Sequence, residues 1–156
     1  MSGLVPPFTF ETANRKVKVA QDLWNTQDAA RVALAYTPDC RWRNRDQFPV
    51  GREQIVQFLT KKWQKEKGYR LRKELFAFTD NKIAVTFWYE WYEDAADGTK
   101  QWWRTYGLED WTFNQDGIME KRQMSGNDKK IADAERWFTD DVPDVNTAAI
   151  PEHEFL

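Results

Sequence analysis

The sequence predicts an α+β fold, with helices on one side of a bent, mainly antiparallel sheet. Three observations predict it. Apolar residues recur at helical spacing only within the first 67 residues. From residue 69 the period drops to two, in long segments separated by turn signals. The chain of 156 residues also carries nine Trp, ten Phe and five Tyr. At ~150–250 Å² per ring, that is enough aromatic surface to fill a core and still line a cavity. The length fits one domain.

The elements follow in order. Residues 12–26 place Ala13, Val17, Ala20, Leu23 and Trp24 on one helical face, with Thr12 as the N-cap. Asp28 caps a shorter helix that runs to Tyr36, and Pro38 stops it. Residues 39–48 alternate as a strand, with Cys40, Trp42 and Asn44 on one face and Arg41, Arg43 and Arg45 on the other. Gly51 opens a third helix over 52–67, whose inner stripe is Ile55, Phe58, Leu59, Lys62 and Trp63, and Gly68 ends it. Strands are predicted over 69–79, 82–93, 100–113 and 118–125, joined by turns at Asp80-Asn81, Asp97-Gly98 and Asn114 to Gly117. Residues 128–138 are expected as a short helix, and 139–156 as a loose acidic tail outside a domain spanning 1–138.

Charge and composition remove several functions. With 23 Lys and Arg against 25 Asp and Glu, the net charge is −2, unlike a dedicated nucleic-acid binder. The distribution is uneven: residues 41–73 hold eleven basic and three acidic side chains, and 127–156 hold three and eight. The Arg41, Arg43, Arg45 stripe is therefore either an anion site or a set of structural partners on the outer face of its strand. One His and one Cys are too few for zinc-ligand patterns, and His153 reads as a solvated tail residue. There is no GxGxxG and no GxxxxGK[ST]. No metal or cofactor is expected, so proton chemistry would fall to Asp, Glu, Tyr, Lys or water. The start MSGLVPPFTF lacks an export signature, and no segment has the ~20 apolar residues of a membrane span. A soluble cytoplasmic protein with no membrane or nucleic-acid partner is expected.

The element order, with YTPDCRWRN (36–44) leading into GREQI (51–55), resembles the nuclear-transport-factor-2-like superfamily. GREQI is also similar to the ketosteroid isomerase and SnoaL-like polyketide cyclase branches. WRNR (42–45), FLTKKW (58–63), YRLRK (69–73), RTYGLEDW (104–111) and SGND (125–128) resemble an uncharacterised family within that superfamily, over roughly residues 8–138. The resemblance implies a cone: a strongly curved sheet wrapped round a pocket, with three helices packed on it. Its members include isomerases, dehydratases, cyclases, binding proteins and transport adaptors, so the fold does not choose among them.

Carried over by position, the resemblance puts the isomerase base at Asn44, which as an amide cannot accept a proton as a carboxylate does. The oxyanion tyrosine falls near Ala20 and is missing, whereas the second pocket acid falls on Glu109. With Glu109 inward, Trp103, Thr105, Gly107 and Trp111 share its face, and Arg122 and Met124 join from the next strand. The expected site is thus Glu109 as candidate acid/base, Asp46 as a weaker displaced base, and Trp42, Asn44, Trp103, Thr105, Trp111, Arg122 and Met124 as ligand-binding residues. A one-residue slip of register would exchange Glu109 for Asp110. The expected ligand is a small apolar or mixed-polarity metabolite, handled either by a cofactor-independent isomerase, dehydratase or cyclase or by a non-catalytic binding or assembly module with a structural Glu-Arg pair. Aromatics on both faces of 82–93 and 100–113 also lead us to expect a homodimer through the outer face of the sheet.

Overall fold

The computed structural model describes residues 4–155; the first three residues of the start searched for an export signal lie outside it. The elements are α1 (Phe10–Asn25), α2 (Ala29–Ala33), β1 (Tyr36–Asn44), α3 (Gly51–Lys65), β2 (Lys67–Thr79), β3 (Lys82–Asp94), β4 (Lys100–Phe113), β5 (Met119–Ile131) and a terminal turn of helix, α4 (Glu152–Phe155). The sheet order is β1-β5-β4-β3-β2, with β1 parallel to β5 and every other pair antiparallel. This is the expected curved α+β architecture, and no helix among the described residues is long and apolar enough to cross a membrane.

Local chemistry shifts some boundaries. The cap of α1 is Thr9 rather than Thr12, because the Thr9 hydroxyl accepts from the Thr12 amide while Thr12 bonds back to Thr9. Asp28 caps α2 as expected, but that helix ends at Ala33 and Tyr36 already belongs to the strand. Pro38 therefore sits inside β1, where an edge position tolerates its missing N–H. The helix expected over 128–138 is instead a continuation of β5 to Ile131, followed by a single 3₁₀ turn at Asp133–Glu135. Pairing with β4 overrides the helical spacing: Asp128 lies opposite Thr105, and Ile131 opposite Trp102.

The inner face carries the core. Ile83, Val85, Phe87, Tyr89 and Trp91 of β3 pack against Val17 and Trp24 of α1 and Ile55 and Leu59 of α3, all buried. Helix α1 also covers the free edge of β2. The Asn25 side chain bonds both the amide and the carbonyl of Leu71, and Gln21 Oε1 accepts from the Lys73 amide. Side chains thereby take the place of a sixth strand and leave this stretch of edge unavailable for pairing.

The outer face corrects the expectation of a loose tail at 139–156. Glu90 and Arg104, both buried, form an ion pair at 2.8 Å, and the Glu90 carboxylate also accepts from the amides of Trp137 and Phe138. The Arg104 guanidinium lies 3.5 Å from the Trp137 ring centre. Arg70 donates to the carbonyls of Thr139 and Val142, so the segment is tied across β2 as well. Phe138, Val145 and Ala148 then close over Trp88, whose indole donates to the Glu154 carbonyl. Part of the aromatic outer surface behind the dimer expectation is therefore covered by the chain itself. Phe76 and Leu108 stay exposed beyond the strap.

Gly107, in the middle of β4, has a packing reason. A Cβ there would sit 2.0 Å from Phe87 Cζ, so the absent side chain lets that ring lie flat on the strand. Gly107→Ala is expected to destabilise the protein by about 1–3 kcal/mol or more through overpacking, measured as a fall in urea midpoint at unchanged slope.

Candidate functional site

Four polar side chains, one from each of four strands, meet on the inner face: Asn44 of β1, Lys73 of β2, Glu109 of β4 and Arg122 of β5. All are at most 8% exposed. Glu109 Oε2 accepts from Arg122 Nε and Nη2 at 2.9 Å, and Oε1 accepts from the Lys73 ammonium. Arg122 Nη1 reaches on to Asn44 Oδ1 at 3.1 Å. Alternation along β4 turns Glu109 inward and Asp110 to solvent.

Two cations and one carboxylate leave this cluster with one positive charge in excess. Aromatic faces supply the compensation. The Arg122 guanidinium lies 4.4 Å from the Trp42 ring centre and 4.9 Å from that of Trp24, and Lys73 Nζ lies 4.8 Å from Phe87. Trp24 and Trp42 are themselves stacked, with centres 5.8 Å apart. Burial alone would raise the Glu109 carboxyl, but the attraction of Lys73 and Arg122 outweighs it and holds the group below its ordinary value of 4.5. Burial pushes the Lys73 ammonium down to about 8, with Arg122 adding to the effect and Glu109 opposing it.

Glu109 is thus an ionised carboxylate with both oxygens engaged, and its side chain is 0% exposed. A groove does touch residue 109, but it lies on the outer face beside Phe76, Leu108 and Asp110. It meets the backbone there, since the carboxylate points the other way.

The inner face opens elsewhere. A cavity of about 230 Å³ lies between the second half of α3, the end of β1 and the inward side of β3. Its walls include Phe58, Tyr89 and Trp91, and its polar lining includes Asn44, Lys62 and Asp128. Lys62 donates to both Glu66 oxygens, at 3.0 and 2.9 Å, and lies 4.1 Å over the Tyr89 ring. Burial works against its charge, but Tyr89 and Glu66 outweigh this and hold the ammonium above its ordinary 10.5. Arg45, which has φ 57, leaves the strand alternation and directs Nη2 to Asp128 Oδ1 at 2.7 Å. The same oxygen accepts from Thr105 Oγ1 at 2.6 Å, and Thr105 accepts in turn from the Trp91 indole. Trp91 stacks on Trp103 with centres 5.7 Å apart.

The structure therefore divides the expected site. Trp42, Glu109, Trp111 and Arg122 form a sealed floor, and Met124 is core. Thr105 and Trp103 stand behind the cavity wall through Trp91, and Asn44 belongs to both floor and cavity. Asp46 does not join them. It is an exposed residue of the tight turn closed by Asn44 and Gln47, which corrects its candidacy as a displaced base. Arg43 serves structure, donating to the carbonyls of Arg45 and Met124. The sequence reading missed Lys73, although Tyr69, Leu71 and Leu75 place it on the inward register of β2. It also missed Arg45, Tyr89, Trp91, Glu66 and Asp128. Of these, Glu66 was legible as the i+4 partner of Lys62 on α3. Among the described residues, no three His, Cys, Asp or Glu side chains gather as metal ligands.

The comparisons agree with this architecture. The family model described as "Protein of unknown function (DUF1348)" matches residues 6–139. No curated protein matches the sequence. Among solved structures, the chain is similar to SalBIII, an epoxide hydrolase/cyclase-like enzyme of pyran ring formation in the polyether salinomycin, with TM-score 0.64 and 11% identity over 76% of this chain and 93% of that one. It is similar to a candidate SnoaL-like polyketide cyclase of Shewanella denitrificans, with TM-score 0.62 and 11% identity over 73% and 90%. It is also similar to an NTF2-like protein of unknown function from Cytophaga hutchinsonii, with TM-score 0.54 and 16% identity over 76% and 100%. At these identities the likeness shows the nuclear-transport-factor-2-like fold alone.

Two measurements test the cluster. Glu109→Gln leaves Lys73 and Arg122 as buried cations without their carboxylate and is expected to cost about 3–5 kcal/mol of stability by urea unfolding. Lys73→Met should cost less, because Glu109 keeps Arg122. The second test is linkage. Lys73 has a folded-state pKa below its unfolded one, so between pH 8 and 10.5 the unfolded chain binds the extra proton and this residue makes stability rise with pH. The wild-type curve minus that of Lys73→Met should rise across this window, and a flat difference would contradict the assigned shift. Subtraction removes Cys40 and Tyr36, whose pKa values are raised by burial and which act in the opposite sense.

Proposed function

The chain belongs to the DUF1348 family of proteins of unknown function, and we propose that it binds a small molecule in the aromatic cavity, above a closed and charged floor. The observation that carries this reading is the double membership of Asn44. Its Oδ1 is held by Arg122 of the buried cluster, yet the residue lines the cavity. Apolar walls with a few fixed polar groups are the usual composition of a ligand site. A volume of about 230 Å³ lies below the ~300–1,000 Å³ of drug-sized pockets, which points to a single-ring metabolite of mixed polarity. In this reading the Glu109 pair is structural. The exposed Phe76 and Leu108 are proposed to meet a second copy of the chain, a separate question answered by sedimentation.

A second reading is a cofactor-independent isomerase, dehydratase or cyclase that uses the buried carboxylate. It is favoured by Lys73, whose ammonium burial pushes down to about 8 and which bonds the Glu109 carboxylate directly. General acid–base catalysis contributes about 10²–10⁴-fold. Under this reading Glu109→Gln abolishes turnover of the bound metabolite without abolishing its binding.

The deciding experiment is mass spectrometry of small molecules released from purified protein, followed by calorimetric titration of what is found. Trp91→Ala and Phe58→Ala are each expected to weaken binding about tenfold or more, since a lost aromatic wall is worth over ~1.4 kcal/mol. Trp88→Phe, on the opposite face, should leave the affinity unchanged. Equal affinities for all these proteins would remove the ligand from this cavity.

A further inference from the structure

Among the polar atoms of the cavity lining, two have their orientation set by neighbours while making no hydrogen bond of their own among the described residues. One is Asn44 Nδ2. The side chain is only 8% exposed, and its orientation follows from the floor: Arg122 has donors only, so the oxygen of the amide must face it, at 3.1 Å. The amide nitrogen then points away from Arg122, and Asn44 is one of the residues that line the cavity. The other is Asp128 Oδ2. Arg45 and the Thr105 hydroxyl both bond to Oδ1, which orients the carboxylate, and with the side chain 37% exposed its second oxygen is an acceptor at the solvent-facing rim of the cavity. The cavity thus presents one fixed donor and one fixed acceptor beside the aromatic faces of Phe58 and Trp91.

We propose that Asn44 Nδ2 and Asp128 Oδ2 form a donor–acceptor pair that reads a single-ring ligand bearing both a carbonyl oxygen and a hydroxyl group. The proposal rests on the binding reading above and names its ligand class. The ligand's carbonyl accepts from Asn44, its hydroxyl donates to Asp128, and its ring packs on the aromatic wall. A neutral ligand fits better than an anion. Lys62 is matched by Glu66 and Arg45 by Asp128, and the open carboxylate oxygen repels negative charge at the reading pair itself, while Lys61 and Lys65 add cations elsewhere in the lining, which makes the anion the competing case in the test. Arg122 is a positioning residue here, acting through the amide it orients.

The test uses the full chain and four neutral probes, 3- and 4-hydroxyacetophenone and their methyl ethers, with dissociation constants from ligand-observed NMR. At least one hydroxy ketone is expected to bind about tenfold more tightly than its ether, the difference of one charge-assisted hydrogen bond. Asp128→Asn keeps an acceptor for Arg45 and Thr105 but puts a donor at the second position, so it should shrink that difference to about twofold or less. The wild-type comparison needs no variant, so misfolding of Asp128→Asn leaves the proposal falsifiable. Equal binding of ketone and ether, or a gap that survives Asp128→Asn, overturns the donor–acceptor pair while leaving the cavity a binding site. Tighter binding of 3-hydroxybenzoate than of every neutral probe overturns the neutral class. Failure of all probes while the co-purified metabolite still binds in a Trp91-dependent manner overturns this inference alone, and loss of that dependence overturns the cavity as well.

Discussion

A carboxylate buried in the middle of a curved sheet must be paired or take up a proton, and Glu109 keeps its charge because two cations reach it from different strands. That constraint organises the inner face. Lys73 has to cross from β2 over the ring of Phe87, which lies flat only because Gly107 has no side chain. Arg122 has to be sandwiched by indoles, since a two-cation, one-anion cluster has a charge left over that water cannot solvate there. The stacked Trp24 and Trp42 supply that surface from α1 and β1. Helix packing, strand register and electrostatics are therefore one problem with one solution.

The outer face repeats the device. Glu90 and Arg104 form a second buried pair, but here the remaining capacity of the carboxylate goes to the amides of Trp137 and Phe138. The pair exists as a buried feature only because the C-terminal segment covers it, and the segment is held because the pair is there. Arg70 reinforces it by donating to the carbonyls of Thr139 and Val142. The buried ion pairs on the two faces share β4: on the inner face Glu109 ties it to β2 and β5, and on the outer face Arg104 ties it to β3.

The cavity is shaped by what this interior leaves over. Where β1 ends and α3 passes over the sheet, Lys62 pairs with Glu66 and Arg45 with Asp128, and Lys61 and Lys65 add further cations to the lining. The only member of the buried cluster that lines the opening is an amide. An amide in that position can orient a ligand without titrating. In the binding reading proposed above, that separates a buried charged floor that fixes geometry from an amide at the cavity that meets the ligand.

Much of this was legible along the chain. Alternation within 39–44 and 100–113 determined which side chains share a face, and the family resemblance turned the face of Trp42 and Asn44, and that of Glu109, inward. Helical spacing likewise determined the inner stripe of α3, and Asp28 the start of α2. What it could not determine was pairing across distance. Lys73 and Glu109 are 36 residues apart, and Arg45 and Asp128 are 83 apart; local spacing carries no record of which charges meet. Residues 128–131 have helical character in isolation but became strand because β4 offered a ladder. The acidic segment 139–156 reads as solvated, yet Arg70 donates to its carbonyls at Thr139 and Val142 and the Trp88 indole to that of Glu154, interactions with no side-chain signature in the segment itself. The sequence alone determined which residues share a face, through local periodicity; tertiary structure decided which carboxylates are engaged and which remain open, because that depends on partners brought together only by the closing of the sheet.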